Sequence, residues 1–172
     1  VSASTQNQAL NALVFLYKHV LNRPLGSLAG AARAKHQDRL PVVFTRDEVA
    51  ALLDQLNGTV WLVTALLYGS GLRLMEGLRL RVKDIDFDRL AVYVRGGKGG
   101  KDRVSMLPSD LIDPLTSHLA QVRITFERDR GRAMAGVYLP YALERKYPNA
   151  TFEWAWQWVF PSPEFSRDPR GN

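Results

Sequence analysis

The feature that most restricts the fold of this chain is the run from Trp61 to Tyr68, where nearly every residue is apolar, closed by Gly69-Ser70-Gly71 and followed closely by Arg73. An unbroken apolar run lacks strand-like alternation, and glycines at its end stop a helix, so it reads as a helix buried all round. The core of a domain is expected here. On its N-terminal side, Thr45-Arg46-Asp47-Glu48 carries the pattern of a capping box, and Val49, Leu52, Leu53 and Leu56 follow at helical spacing. On its C-terminal side the period changes to two. Ile85 and Phe87, then Leu90, Val92 and Val94, alternate with Asp86, Asp88, Ala91 and Tyr93 about a turn near Asp88-Arg89. Gly96 to Gly100 marks a further turn and Val104 to Leu107 a third strand, which together predict a small antiparallel meander. Ile112, Leu115, Leu119, Val122 and Phe126 then mark a long amphipathic helix with Arg123, Glu127 and Arg130 on its outer face. The expected class is α+β: mainly α with a small three-stranded antiparallel β-meander.

Upstream, Leu10, Leu13, Val14, Tyr17 and Leu21 recur at helical spacing until Asn22-Arg23-Pro24 and Gly26 stop the pattern. The Ala, Gly and basic stretch from Ala29 to Arg39 has no apolar period, as an exposed linker would. These signals divide the chain into a closing helix at 1–28, a linker at 29–43 and a second domain at 44–172. From Gly131 the texture changes: an apolar segment from Val137 to Leu143, a Tyr147-Pro148 break, the aromatics Phe152, Trp154, Trp156, Trp158 and Phe160, and a Pro, Ser and Arg tail.

Composition narrows the function classes. The chain has 172 residues, 46% hydrophobic and 23% charged, which is globular rather than disordered usage. No stretch approaches the ~20 apolar residues of a membrane span and no signal peptide opens the chain, so a cytoplasmic protein with no membrane partner is expected. Without cysteine there is no thiol catalysis, disulfide framework or thiolate metal site. The formal charge is +6, unevenly spread. Lys18, Arg23, Arg33, Lys35 and Arg39 face only Asp38 in the first 43 residues, and eight basic residues between Arg79 and Arg103 face Asp84, Asp86, Asp88 and Asp102. Two basic segments flanking an apolar one suit a protein that straddles a phosphate backbone and releases its counterions.

Two runs carry candidate chemistry. In Gly71-Leu72-Arg73-Leu74-Met75-Glu76, an arginine beneath an apolar helix must be paired if it is buried, and Glu76 lies on the same helical face. By position alone, a structural Arg–Glu pair at a helix start is the ordinary explanation. In Arg95-Gly96-Gly97-Lys98-Gly99-Gly100-Lys101-Asp102-Arg103, glycines permit a sharp turn and close approach while lysines are presented to phosphate. A nucleotide-binding P-loop is excluded, because Gly100-Lys101 is followed by Asp102 and strands rather than a helix come next. By itself, a flexible basic hairpin is the commoner reading.

Taken together, GLRLMEGLRLRVKDIDFDR and, about two dozen residues after the arginine, a GKGGKDR hairpin leading into Met-Leu-Pro resemble the catalytic domain of tyrosine recombinases and phage-type integrases. The upstream VSASTQNQALNALVFLYKHVL and downstream ALERKYPNATFEWAWQWVFPS narrow the resemblance to the integron integrases. It implies that 1–28 closes a SAM-like core-binding domain and that 44–172 is the N-terminal part of the catalytic domain, with an inserted segment at about 131–160. It implies that Arg73 clamps the scissile phosphate, that Glu76 supports it, and that Lys98 is the general acid toward the leaving 5′ oxygen, with Lys101 as competitor for that role. Arg95, Lys101, Arg103, Lys35 and Arg39 are the expected backbone contacts. Positioned cations and a proton donor suffice for such phosphoryl transfer, so neither metal nor other cofactor is expected.

The aromatic cluster fits strand or helix, and core packing is its ordinary reading. In integron integrases a segment here grips unpaired bases of a folded single-stranded site, which makes Trp156 a candidate stacking platform, with Pro169 a weaker one. The expected partners are therefore DNA recombination sites, including hairpins with extrahelical bases, and further copies in a tetrameric synapse, in a nucleoid-associated setting. The family's His-x-x-Arg motif and tyrosine nucleophile find no match in this chain: His118 precedes Arg123 by five residues, not three. The resemblance thus implies a cassette-joining recombinase acting through a 3′ phosphotyrosine, with this chain a fragment that does not cleave alone. A non-catalytic DNA-binding module of the same fold is the alternative, and a basic RNA-binding domain a third.

Overall fold

Ser2 opens the first helix, α1 (Ala3–Phe15), its hydroxyl accepting the backbone N–H of Thr5 at 3.2 Å. A π-helical turn, Leu16–Val20, extends α1, and Asn22 leaves the helix with a positive φ of 46°. Leu10, Val14 and Tyr17 form a half-buried stripe while Leu13 and Leu21 are exposed. The computed structural model describes residues 2–26, 42–97, 99–132, 136–139 and 143–162. It divides into two units, Val1–Phe44 and Thr45–Asn172. Most of the expected linker lies outside the described residues.

The second unit begins with the capping box. Thr45 Oγ1 accepts the Glu48 N–H at 3.3 Å, and Glu48 Oε2 accepts the Thr45 N–H at 2.8 Å, starting α2 (Arg46–Leu53). The apolar run forms α3 (Gly58–Ser70), ended by Gly71 at φ 61°, a left-handed conformation that a side chain would oppose. Leu62, Ala65 and Leu66 are buried, whereas Val60 and Tyr68 are exposed. The expectation of burial all round is thus corrected: only one face of α3 meets the core.

A five-residue helix, α4 (Leu74–Leu78), follows, seated closely because Gly77 has no side chain: a Cβ there would lie 2.5 Å from Leu67 Cδ2. The meander is β1 (Ile85–Asp86), β2 (Ala91–Val94) and β3 (Arg103–Met106), in the order β1-β2-β3, all antiparallel, with Ile85 opposite Val92 and Val92 opposite Ser105. Leu90 is not an inward strand residue as the alternation suggested. It occupies the β1–β2 turn at φ 50°, and Ala91 is buried instead. Asp86 builds that turn by accepting the Arg89 N–H at 2.9 Å.

The long helix, α5 (Ile112–Gly131), buries Leu115, Leu119, Val122 and Phe126. Leu66, Val92, Leu107, Leu115 and Val159 form the centre of the core. A short helix, α6 (Leu143–Lys146), precedes the aromatic segment, which is neither strand nor α-helix. It makes two 3₁₀ turns, Ala150–Phe152 and Trp154–Trp156, then an antiparallel bridge between Trp158 and Arg81. The Val82 N–H donates to Gln157 O and the Val159 N–H to Leu80 O, both at 2.9 Å, so the segment is laced along the chain between α4 and β1.

Candidate functional site

Glu76 is the hub of the site. Its side chain is 9% exposed, and Oε1 accepts the Arg73 guanidinium at 2.8 Å while Oε2 accepts the Arg73 backbone N–H at 2.8 Å and Arg103 Nη2 at 2.9 Å. The same Arg103 nitrogen donates to Gly71 O at 3.2 Å, so one carboxylate ties the end of α3, the start of α4 and strand β3 together. Arg73 itself is 59% exposed. The less exposed member of the pair is the acid, and the guanidinium it orients is presented to solvent.

Bonds from Arg103, then from the Arg73 backbone, push the Glu76 carboxyl down to about 2 from 4.5. Its ionised form is therefore favoured by folding. That stabilisation is fully present above about pH 4.5 and is lost as the pH falls toward about 2. A carboxyl-carbon NMR titration is expected to give Glu76 a midpoint clearly below that of exposed glutamates; an ordinary midpoint would refute the three-way hub.

The hairpin between β2 and β3 is shaped by its glycines and by Asp102. Gly96, Gly99 and Gly100 all have positive φ, and Asp102 Oδ1 accepts the Gly96 N–H at 2.8 Å. Gly97 lies against the hub, where an added Cβ would sit 3.0 Å from Lys101 O and 3.2 Å from Glu76 Oε1. Lys98, the expected general acid, lies outside the described residues between Gly97 and Gly99, as do Lys35, Arg39 and Pro169. Arg95 bonds Asp84 Oδ1 through Nε at 2.9 Å and approaches Asp102 at 3.7 Å. Lys101 is exposed and, among the described residues, its ammonium makes no hydrogen bond or ion pair.

Two open clefts flank Arg73. One, about 350 Å³, is lined by Arg73, Arg79 and Arg95 with Met75 and Tyr93; the other, about 610 Å³, by Arg73, Lys101 and Arg103 with Gly97. The structure thus brings Arg73, Glu76, Arg95, Lys101 and Arg103 together, and guanidinium forks in such clefts suit phosphate oxygens. Among the described residues no group of three or more His, Cys, Asp or Glu side chains could hold a metal ion, and no helix is long and apolar enough to cross a membrane.

Trp156 is half-buried and has the Lys83 ammonium over its ring, 2.7 Å from the centroid. Trp158 has the Arg81 guanidinium over it at 3.1 Å, and Trp154 packs against Phe126 at 5.5 Å. His118 bonds Val159 O at 2.8 Å and packs on Phe160. The sequence reading did not single out Arg81 or Asp84. Arg81 is 6% exposed and donates to Trp156 O at 2.8 Å and Tyr138 O at 2.6 Å; burial pulls its pKa down to about 10, leaving it charged at neutral pH. Asp84, also buried, accepts the Arg81 N–H at 3.1 Å and holds Arg95. The one available signal was their spacing, with an acid three residues after a basic residue at a turn.

Residues 42–162 match the sequence profile of the Phage integrase family. The chain belongs to that family. Residues 1–27 match the phage integrase N-terminal SAM-like domain. Phage integrase relatives described as "Integrase/recombinase" from Escherichia coli and Pseudomonas aeruginosa are each 49% identical over all 172 residues, which cover 51% of each relative. The tyrosine recombinase XerA of Thermococcus kodakarensis is 45% identical over 83 residues, 46% of this chain and 29% of that protein. The chain therefore spans about half the length of the curated integrase relatives that match it throughout.

Proposed function

We propose that the chain forms part of a site-specific DNA recombinase that breaks and rejoins strands through a 3′ phosphotyrosine, with Arg73 clamping the scissile phosphate, Glu76 orienting Arg73, and Lys98 protonating the leaving 5′ oxygen. The observation that carries this reading is the exposed Arg73 fork held by a carboxylate whose side chain is 9% exposed, between two basic clefts. Such an arrangement stabilises charge that develops on a phosphoryl group while costing no reorganisation at the moment of reaction. Arg95 and Lys101 line the clefts as backbone contacts, and Lys35 and Arg39 of the linker at 29–43 are read as further backbone contacts. Residues 1–28 are the last helix of the core-binding domain, a reading that the SAM-like match supports. Residues 44–172 belong to the catalytic domain, in which about 131–160 is an insertion.

At a finer level, the reading is of an integron integrase that joins gene cassettes in a tetrameric synapse and accepts folded single-stranded sites. Trp156 is its base platform: the Lys83 ammonium lies over the ring, and a flipped base would take its place; Pro169 is the weaker candidate. Stacking of this kind is worth roughly 1 to 3 kcal/mol per base. The test is binding to a hairpin with protruding bases against the perfectly paired duplex across a salt series. Preference for the hairpin that persists at high salt and shrinks by about tenfold or more in Trp156→Ala supports the integron reading. Equal, steeply salt-dependent binding to both would leave a recombinase of another site preference.

A further inference from the structure

The cleft on the Arg95 side of Arg73 contains an imbalance that the proposed chemistry does not use. Three guanidinium groups line it, Arg73, Arg79 and Arg95, with two carboxylates, Glu76 and Asp84. Both acids are committed: Glu76 to Arg73 and to Arg103, Asp84 to Arg95 and to the Arg81 N–H. Arg79 is exposed, and among the described residues its guanidinium makes no hydrogen bond or ion pair.

Its backbone, by contrast, is fixed on both sides. The Arg79 N–H donates to Met75 O at 3.2 Å as the cap of α4, and the next residue, Leu80, is 2% exposed with its carbonyl taken by the Val159 N–H. The free cation is therefore mounted on a rigid base at the opposite end of α4 from Arg73. The helical rise separates the two Cα atoms by roughly 9 Å, close enough for two long side chains to reach different phosphates of one strand, whose charges recur about every 3.4 Å of the helix axis. Met75 and Tyr93 also line the cleft, and their surfaces suit a sugar rather than a further charge.

We infer that Arg79 binds a second phosphodiester of the DNA strand, next to or one beyond the phosphate at Arg73, and so sets the register of the strand in the cleft. This rests on the recombinase reading above. Arg79 is a positioning contact, distinct from the cation at the reacting phosphate, and reads no base.

The experiment is a fluorescence-anisotropy titration of the intact protein with a labelled duplex over a salt series, for wild type, Arg79→Ala and Arg79→Lys. Each phosphate contact contributes about 0.9 to the slope of log affinity against log salt. Arg79→Ala is expected to lose about that much slope and roughly tenfold in affinity at low salt, equally for specific and scrambled sequences, while Arg79→Lys keeps the slope. A slope unchanged in Arg79→Ala overturns the inference. Inorganic phosphate at constant ionic strength distinguishes a free-anion site: if it binds wild type more tightly than Arg79→Ala while the DNA salt slope is the same in both, Arg79 holds a free phosphate ion and not the strand, and the inference is overturned. Wild type that shows no salt-dependent DNA binding would instead remove the recombinase reading on which the inference stands.

Discussion

On the proposed recombinase reading, strand cleavage by the intact protein is expected to fall by about 10²- to 10³-fold or more when Arg73 is replaced by alanine, with a much smaller effect on DNA affinity. The difference arises because the fork contributes most as charge accumulates on the phosphoryl oxygens, whereas ground-state affinity is shared among many cations. Geometry supports this division. Arg73 is held by a carboxylate that is 9% exposed, so its orientation is set by the fold itself. Arg73→Lys should restore little, since an ammonium is a point charge without the planar fork that meets two oxygens. Single-turnover cleavage of a saturated complex is the measurement. Unchanged cleavage in Arg73→Ala would remove the residue from the reaction.

What the sequence disclosed of this arrangement follows from how local each part is. The capping box at Thr45 and Glu48 involves residues three apart, and its pattern can be read directly. The meander and α5 were legible because their periods, two and 3.6, persist over many residues. Burial of α3 was over-read because composition does not report which face meets a neighbour. Leu90 fitted the alternation yet turned the chain, since the side chain of Asp86, an acceptor just upstream, organises the turn. The aromatic segment fitted strand or helix in sequence and is neither, because its shape comes from bonds to residues 80–82, some 75 positions earlier.

The site shows the same division. Arg73 and Glu76 are neighbours in sequence, and their pairing was anticipated. That the acid would be the less exposed partner was not, because its second cation, Arg103, arrives from β3. Arg103 was read as a backbone contact and Asp84 was not singled out, yet each is engaged across the fold. Their partners, Glu76 and Arg95, lie 27 and 11 residues away.

Arg81 permits the strongest test of how the aromatic segment is held. Replacing it with methionine keeps an unbranched apolar stem but removes both donors, leaving the carbonyls of Trp156 and Tyr138 without their guanidinium partner and Trp158 without its cation. A hydrogen bond from a charged donor contributes about 1.5 to 3 kcal/mol, so Arg81→Met is expected to destabilise the protein by about 3 kcal/mol, read as a lower urea midpoint. The loss should also have an address. The Val82 and Val159 amides bond across the seam to Gln157 O and Leu80 O, so their hydrogen exchange should accelerate more than that of amides within α3. Arg81→Lys should recover only part of the stability, because one ammonium cannot span two carbonyls and stack on an indole with the same geometry. An unchanged urea midpoint in Arg81→Met would mean that water replaces the guanidinium at little cost. Uniform acceleration of exchange would mean that the segment and the α3 core unfold as one unit, and that Asp84 and Arg95 are coupled to the aromatic seam through the whole domain rather than through Arg81.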